Sequence, residues 1–362
     1  MPLPAVVKPS AAEPCLAMPE VRVVDPFGQP EWDEWVSGCA GASVFHRAAW
    51  AAVLAETYGF TPCYLVATLR DGWRALLPLM ETRSWLTARR GVSLPFTDYL
   101  PVLPARAETF RALFDSALAF GRARGWRSLE CHGGAEWLAG VPASLCYYRH
   151  VLALEGSVAS LFAGCAPSVR RAIRKAQQSG LVVCAGESAE LVAAYYALHC
   201  LTRRRHGLPP QPFSFFASIQ RRLIGRGAGR VFLVRSGGRP VAGAVFLHSG
   251  PQAAYKFGAS EEAYQPLRPN NLLMWEAIKW YHAQGMASLD FGRTSLAHDG
   301  LRRFKLGWGA TETRTGYVKF DLARGVFRTE TDRVSGWHTA VFRRMPVSVL
   351  QWVGRVLYRH LT

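Results

Sequence analysis

Apolar and polar positions along the chain follow two periods, one near 3.6 residues and one near 2, so helices and strands alternate. The segment CYLVATLRDGWRALLPLMETR (63–83) predicts two strands around the turn Arg70-Asp71-Gly72. Its later counterpart, RVFLVRSGGRPVAGAVFLHSG (230–250), predicts two strands around Gly237-Gly238. Asp-Gly and Gly-Gly tolerate the positive φ that tight hairpins need. Each hairpin leads into more strand-like sequence, then a long amphipathic helix and a further strand. The helix-to-strand joints match: Gly125-x-x-Ser128-Leu129-Glu130 reappears 160 residues later as Gly285-x-x-Ser288-Leu289-Asp290. Each glycine ends a helix in the left-handed conformation, and an apolar strand follows at once.

The pattern therefore predicts an α/β (α+β) chain made of two copies of one unit, each a mostly antiparallel sheet flanked by helices. A loose tail covers 1–20, the first unit 21–155 and the second 156–330, with a helical insertion over 187–227. A basic amphipathic helix, interrupted at Pro346, covers 331–362.

Composition narrows the class. Of 362 residues, 49% are hydrophobic, enough for substantial cores, which excludes a largely disordered chain. No apolar run reaches the roughly 18 residues of a membrane span. The Pro/Ala-rich start lacks the apolar core of a signal peptide. The net charge of +17 favours an anionic partner, be it nucleic acid, a phosphorylated substrate or an anionic membrane surface. An Arg-biased genome explains the same excess. The eight cysteines form no C-x-x-C pair and read as core residues of a reducing cytoplasm; no metal site is expected.

Candidate chemistry gathers in four places. A strand delivers Asp290, the chain turns at Gly292 with Arg293 next to it, and a short basic segment ends in Phe304-Lys305. The alternative there is a surface turn closed by an Asp290–Arg293 ion pair, with Lys305 in solvent. Arg170, Arg171, Arg174 and Lys175 share one helical stripe suited to phosphates, and with Arg204 and Arg205 they predict a basic groove. Solvated helix faces explain the same charges. The stretch Tyr255-Lys256-Phe257-Gly258-Ala259-Ser260 precedes a helix opened by Asn270-Asn271, whose free N–H groups suit an anion or a carbonyl. Asn270 is equally a stabilising cap. In the first unit, Asp98 and Tyr99 stand at a strand edge. Walker, dinucleotide-binding, H-E-x-x-H and G-x-S-x-G motifs are missing, which disfavours the corresponding NTPases, oxidoreductases, zinc proteases and serine hydrolases.

The order of these pieces, with Arg204-Arg205-His206-Gly207, Asp290-Phe291-Gly292-Arg293 and Phe304-Lys305-x-Gly307-Trp308-Gly309, resembles the FemAB-like branch of the GNAT superfamily, including its CelD-type and PEP-CTERM-associated members. The resemblance runs from about residue 21 to about residue 322. It implies two tandem GNAT-like domains and transfer of an acyl or aminoacyl group to an amine on a cell-envelope or exopolysaccharide precursor. It places Lys305 beside the reacting centre. For direct aminolysis of the donor, the expected acceptor of the amine proton is Asp290 or Asp98, directly or through water, with an attached substrate carboxylate as the alternative. By the same resemblance Arg205 would hold acceptor phosphates and Tyr255 would line the same channel. Tyr99, Arg293, Asn270 and Phe304 are further candidate substrate contacts. No tightly bound cofactor is implied. The acyl donor is a co-substrate, aminoacyl-tRNA or acyl-CoA, and the stretch Gln265 to Asn271 lacks the glycines of ordinary acetyl-CoA sites. Expected partners are a small-molecule or lipid-linked envelope precursor and tRNA, not DNA. The expected location is cytoplasmic, peripheral at the inner face of the membrane. The rival readings are an inactive GNAT-like scaffold and an RNA-binding protein. For the terminal helix, packing on the second unit is preferred over lying on an anionic membrane surface.

Overall fold

The computed structural model describes residues 20–68, 74–332 and 337–360. The tail over 1–19 and the turn Arg70-Asp71-Gly72 lie outside the described residues. The strands are β1 (Glu20–Val24), β2 (Thr61–Pro62), β3 (Tyr64–Thr68), β4 (Arg74–Leu77), β5 (Met80–Ser84), β6 (Ala88–Val92), β7 (Ser128–Cys131) and β8 (Leu145–Ala153). They continue as β9 (Val182–Gly186), β10 (Gly229–Ser236), β11 (Arg239–Ser249), β12 (Gln252–Ser260), β13 (Ser288–Ser295), β14 (Thr311–Asp321) and β15 (Val326–Phe327). The helices are α1 (Trp32–Gly38), α2 (Ala48–Tyr58), α3 (Ala107–Ala123), α4 (Val158–Gly164), α5 (Pro167–Gln178) and α6 (Ala189–Arg205). After them come α7 (Phe213–Arg222), α8 (Pro269–Ala283), α9 (Asp299–Leu306), α10 (Trp337–Arg344) and α11 (Val347–Leu357).

The repeat read from the sequence reaches into the hydrogen-bond ladder. Gly125 and Gly285 have φ of 70° and 71°, and each lets a helix stop one turn before a strand. In the first unit, Arg90–Val92 of β6 run parallel to Ser128–Glu130 of β7. In the second, Gln252–Ala254 of β12 run parallel to Ser288–Asp290 of β13. The duplicated Ser-Leu-acid triplet thus fills the same three ladder positions twice. The parallel ladder ends after three positions in both units, and every other pairing between described strands is antiparallel.

Two expectations change. Residues 187–227 are not an insertion peculiar to the second unit, since α1 and α2 stand between β1 and the β3–β4 hairpin as α6 and α7 stand between β9 and β10. In α2 the buried Trp50, Ala51, Val53, Leu54 and Tyr58 surround much of the helix, so no single-face period marks it in the sequence. The units also exchange strands. β8 lies between β13 and β14, and β14 pairs with β8 up to Tyr317, then with β7 from Val318 onward. One 12-stranded sheet results, so neither unit keeps an unpaired edge at the junction. A shared core reinforces the join, with Trp50 and Leu54 of α2 clustered with Phe215, Phe216 and Val245.

The C-terminal segment forms two helices separated at Pro346, and α11 packs on α6. It buries Leu350, Gly354 and Tyr358, and Arg203 donates to the Tyr358 hydroxyl at 2.7 Å. A Cβ on Gly354 would stand 1.9 Å from the Pro210 carbonyl oxygen. A Gly→Ala change inside a helix ordinarily gains about 1 kcal/mol. Gly354→Ala is expected to destabilise instead, seen as a lower urea midpoint and faster amide exchange over 347–360. A higher midpoint would show that α11 is not held against Pro210.

Candidate active site at the diverging parallel strands

The gap between β12 and β13 is shaped by one irregularity in each strand. In β12 the register against β11 slips between Val245, opposite Phe257, and Phe246, opposite Tyr255. Lys256 is the extra residue, and such a bulge re-aims a side chain that alternation would send elsewhere. Its Nζ lies 5.3 Å from the Phe45 ring and 5.9 Å from the Trp50 ring, donates to the Phe96 carbonyl, and stands 3.7 Å from Asp98 Oδ2. The Lys256 side chain is only 4% exposed, so that carboxylate matters.

In β13 the register against β8 slips between Asp290 and Arg293. Gly292 occupies the slip with φ of 71°, a conformation that suits glycine. Its bare Cα also makes room, since a Cβ there would meet Asp98 Oδ2 at 2.6 Å. Asp290 braces the turn, accepting from Gly292 N and from Arg149 Nε, both at 2.7 Å. Lys305 braces it from the other side, donating to the Gly292 and Arg293 carbonyls, each at 2.9 Å. Arg293 is thereby aimed at Asp98 of the first unit, with its Nε 3.6 Å from Asp98 Oδ1, while its guanidinium also donates to the hydroxyl of Tyr317 in β14 at 3.0 Å.

The charges offset one another. Burial would raise the Asp98 pKa, but Lys256, Arg293 and Lys305 outweigh it and hold the carboxyl below its ordinary value. Burial pulls Lys256 down, with Asp98 opposing. For Lys305, burial brings the pKa to about 8 despite Asp98 and Asp290. A neutral amine still has two N–H groups for its two carbonyls.

A cavity of about 500 Å³ opens here, lined among others by Phe96, Asp98, His132, Arg203, Lys256 and Arg293. His132 Nε2 faces Glu130 Oε1 at 3.3 Å, and its ring stacks on Tyr317 at 4.6 Å. Among the described residues nothing bonds its buried Nδ1. Burial would raise the Glu130 pKa, yet His132, Lys319 and Arg90 outweigh it and bring it to about 2.

Of the residues singled out in the sequence, Asp98 and Arg293 line this cavity and Tyr99 adjoins it, with Arg149 4.4 Å over its ring. Asp290 and Lys305 support the turn without lining the cavity. Lys305 is 3% exposed, which replaces the solvated lysine of the surface-turn reading, and Asp290 pairs with Arg149 in place of Arg293. Tyr255 packs against Phe246 and Phe291 in the core under α8, away from Lys256, because the bulge turns the two apart. Phe304 packs on Trp308. Arg205 and Asn270 meet at Ser260, on its carbonyl and hydroxyl respectively; Arg204 and Arg205 line a separate cavity of about 310 Å³. The single basic groove does not form. Arg170, Arg171, Arg174 and Lys175 ride on α5, which packs with α8 on one face of the sheet, whereas α6 carries Arg204 on the other. Lys256, inside the stretch that begins at Tyr255, and the Glu130–His132 pair are site residues that the sequence alone does not single out. A Glu-x-His spacing on a strand does put both side chains on one face, which is the signal that marks them.

The fold so described is that of tandem GNAT chains. Residues 163–312 match the family model of an acetyltransferase (GNAT) domain. The structure resembles a tandem GNAT protein from the clavulanic acid biosynthesis pathway, with TM-score 0.53 and 12% identity over 84% of this chain and 98% of that one. Other proteins are similar as well. FemX gives TM-score 0.65 with 15% identity, covering 83% of this chain and 96% of FemX. A 75-residue stretch is 32% identical to the Lipid II:glycine glycyltransferases of Staphylococcus epidermidis and Staphylococcus haemolyticus, amounting to 19% of this chain. That stretch spans 18% of the length of these curated relatives. Each similarity is partial: the GNAT-domain model spans residues 163–312, the glycyltransferase-like stretch 19% of the chain, and the likeness to FemX is one of fold.

Two outcomes test the site's electrostatics. Asp98→Ala leaves Lys256 without its counter-charge and is expected to cost about 2 kcal/mol, below the usual cost for a fully buried pair because Asp98 is partly exposed. With Lys256→Met added, the double mutant should lose less than the two singles together, a coupling of about 1 kcal/mol in urea denaturation; strict additivity would refute the pairing. Lys305 has a folded pKa of about 8, against roughly 10.4 for an unfolded lysine. Between those values the unfolded chain holds a proton that the folded chain has released. Wild-type stability should therefore rise with pH above about 8 relative to Lys305→Met. A pH-independent difference would contradict the buried environment.

Proposed function

We propose that the protein is an N-acyl- or aminoacyltransferase that acylates an amine on a cell-envelope or exopolysaccharide precursor, acting in the cytoplasm at the inner face of the membrane. The observation that carries this reading is the cavity beside the diverging β12 and β13, where Lys256, Arg293 and His132 converge. The GNAT-domain match and the glycyltransferase-like stretch support the reaction class. The lack of glycine between Gln265 and Asn271 favours aminoacyl-tRNA over acyl-CoA as donor.

In this mechanism the acceptor amine gives its proton to His132, which Glu130 orients. The nitrogen attacks the donor carbonyl, and Lys256 and Arg293 stabilise the oxyanion from a site organised before substrate arrives. The C–O or C–S bond of the donor then breaks, and the departing oxygen or sulfur takes the proton from His132. One N–C bond forms, one donor bond breaks, and a single proton passes from amine to leaving group. Asp98, held below the ordinary carboxylate range, is a poor base. Its role is to hold the two cations in place. Both Asp290 oxygens are already engaged, so Asp290 and Lys305 act as positioning residues.

A second reading, RNA binding without transfer, is favoured by the exposed stripe of Arg171, Arg174 and Lys175 on α5. Mass spectrometry distinguishes the two. The protein is incubated with aminoacylated total tRNA, or with acetyl-CoA, and an envelope-precursor extract, and N-acylated products are sought. His132→Gln and Lys256→Met are each expected to lower turnover by about 10²–10⁴-fold while tRNA binding persists. Salt-sensitive tRNA binding with no product from either donor would reject the transferase reading.

A further inference from the structure

The C-terminal segment buries one side and leaves the other apolar. Opposite the buried Leu350, Gly354 and Tyr358, α11 carries Val349, Trp352 and Val356 at i, i+3 and i+7, exposed by 42%, 58% and 42%. A helix packed on a protein core ordinarily turns polar residues outward. At its end, Trp85 Nε1 donates to His360 Nε2 at 3.1 Å and His360 Nδ1 meets Ser84 Oγ at 3.1 Å, which ties the β5–β6 turn to the segment. That turn presents Trp85, 77% exposed, and Leu86, 50% exposed. Arg343, Arg344, Arg355 and Arg359 accompany these residues, and residues 333–362 contain no Asp or Glu.

We propose that this face docks on the surface of an anionic lipid bilayer. Trp85 and Trp352 enter the headgroup region, where an indole keeps its ring in an apolar layer and its N–H near water, and the arginines meet lipid phosphates. Charge chooses the occupant. A second copy of the same face would bring two sets of arginines together without a carboxylate between them. Among the described residues no helix is long and apolar enough to cross a membrane, so the contact is with the surface. Docking also sets the cavity beside the bilayer: Tyr358 lies 5.7 Å from the Phe96 ring and bonds Arg203, and both Phe96 and Arg203 line the cavity. The proposal does not depend on the transfer reaction.

The test is sedimentation of the full-length protein with sucrose-loaded vesicles of phosphatidylcholine alone or mixed with phosphatidylglycerol. Wild type should bind the mixed vesicles at least about tenfold more tightly, and less so as salt rises. Trp85→Glu with Trp352→Glu should weaken that binding by about tenfold or more. Arg355→Gln with Arg359→Gln should flatten the salt dependence. Circular dichroism and urea midpoints check that the variants remain folded, and the part of the tryptophan quenching by brominated lipid that Trp352→Glu removes reports Trp352. The proposal is overturned if the Trp variants bind like wild type, if anionic vesicles fail to bind wild type, or if wild type forms dimers that Trp352→Glu dissolves while lipid binding is nil.

Discussion

The site rests on one shared volume, the space above Gly292 into which the first unit inserts the carboxylate of Asp98. Any side chain at 292 would collide with that carboxylate. Without the carboxylate, the buried ammonium of Lys256 would lose its counter-charge. The two bulges, the Asp290 and Lys305 braces and the loop before Tyr99 all serve the same end, which is to bring an anion from one unit between two cations from the other. Buried charge is tolerated only when paired and hydrogen-bonded. That condition is met here across the junction between the units.

What the sequence made legible follows from what local rules govern. Left-handed glycines at Gly125 and Gly285 and the Gly237-Gly238 turn obey steric limits that act within a few residues, and they carried the duplicated architecture. The helices α3 and α8 and the strands that follow them are legible for the same reason. Illegible were features decided by distant partners. A bulge is fixed by the neighbouring strand, so Lys256 could not be told from Tyr255 as the residue that faces the cavity. Lys305 stood out, but its partners are backbone carbonyls, which leave no trace in side-chain chemistry. The exchange of β8 and β14 joins segments more than 150 residues apart, and no pattern inside either strand encodes it.

The division of labour within the site also follows from environment. Three carboxylates of similar intrinsic acidity meet near the cavity and are put to different uses. Asp98 faces two cations, Asp290 spends both oxygens on a turn and an arginine, and Glu130 orients a histidine. Equivalent positions in the repeat, Glu130 and Asp290, have therefore parted in role while keeping their place in the ladder. Duplication supplied the geometry twice, and the residues two positions further on, His132 and Gly292, set the difference.

The path of β14 also bears on how the chain reaches its final shape during synthesis. β7 and β8 belong to the early part of the chain, yet the strand that lies between them ends at Asp321. Until that strand emerges from the ribosome, both retain open edges facing an empty slot. Pairing over such sequence distances is slow, because loop-closure entropy is lost before contacts form. An early unit waiting in this state is exposed to rogue strand pairing and to chaperones. The same insertion that later locks the two units together thus makes the nascent chain depend on a strand that is made only after residue 310.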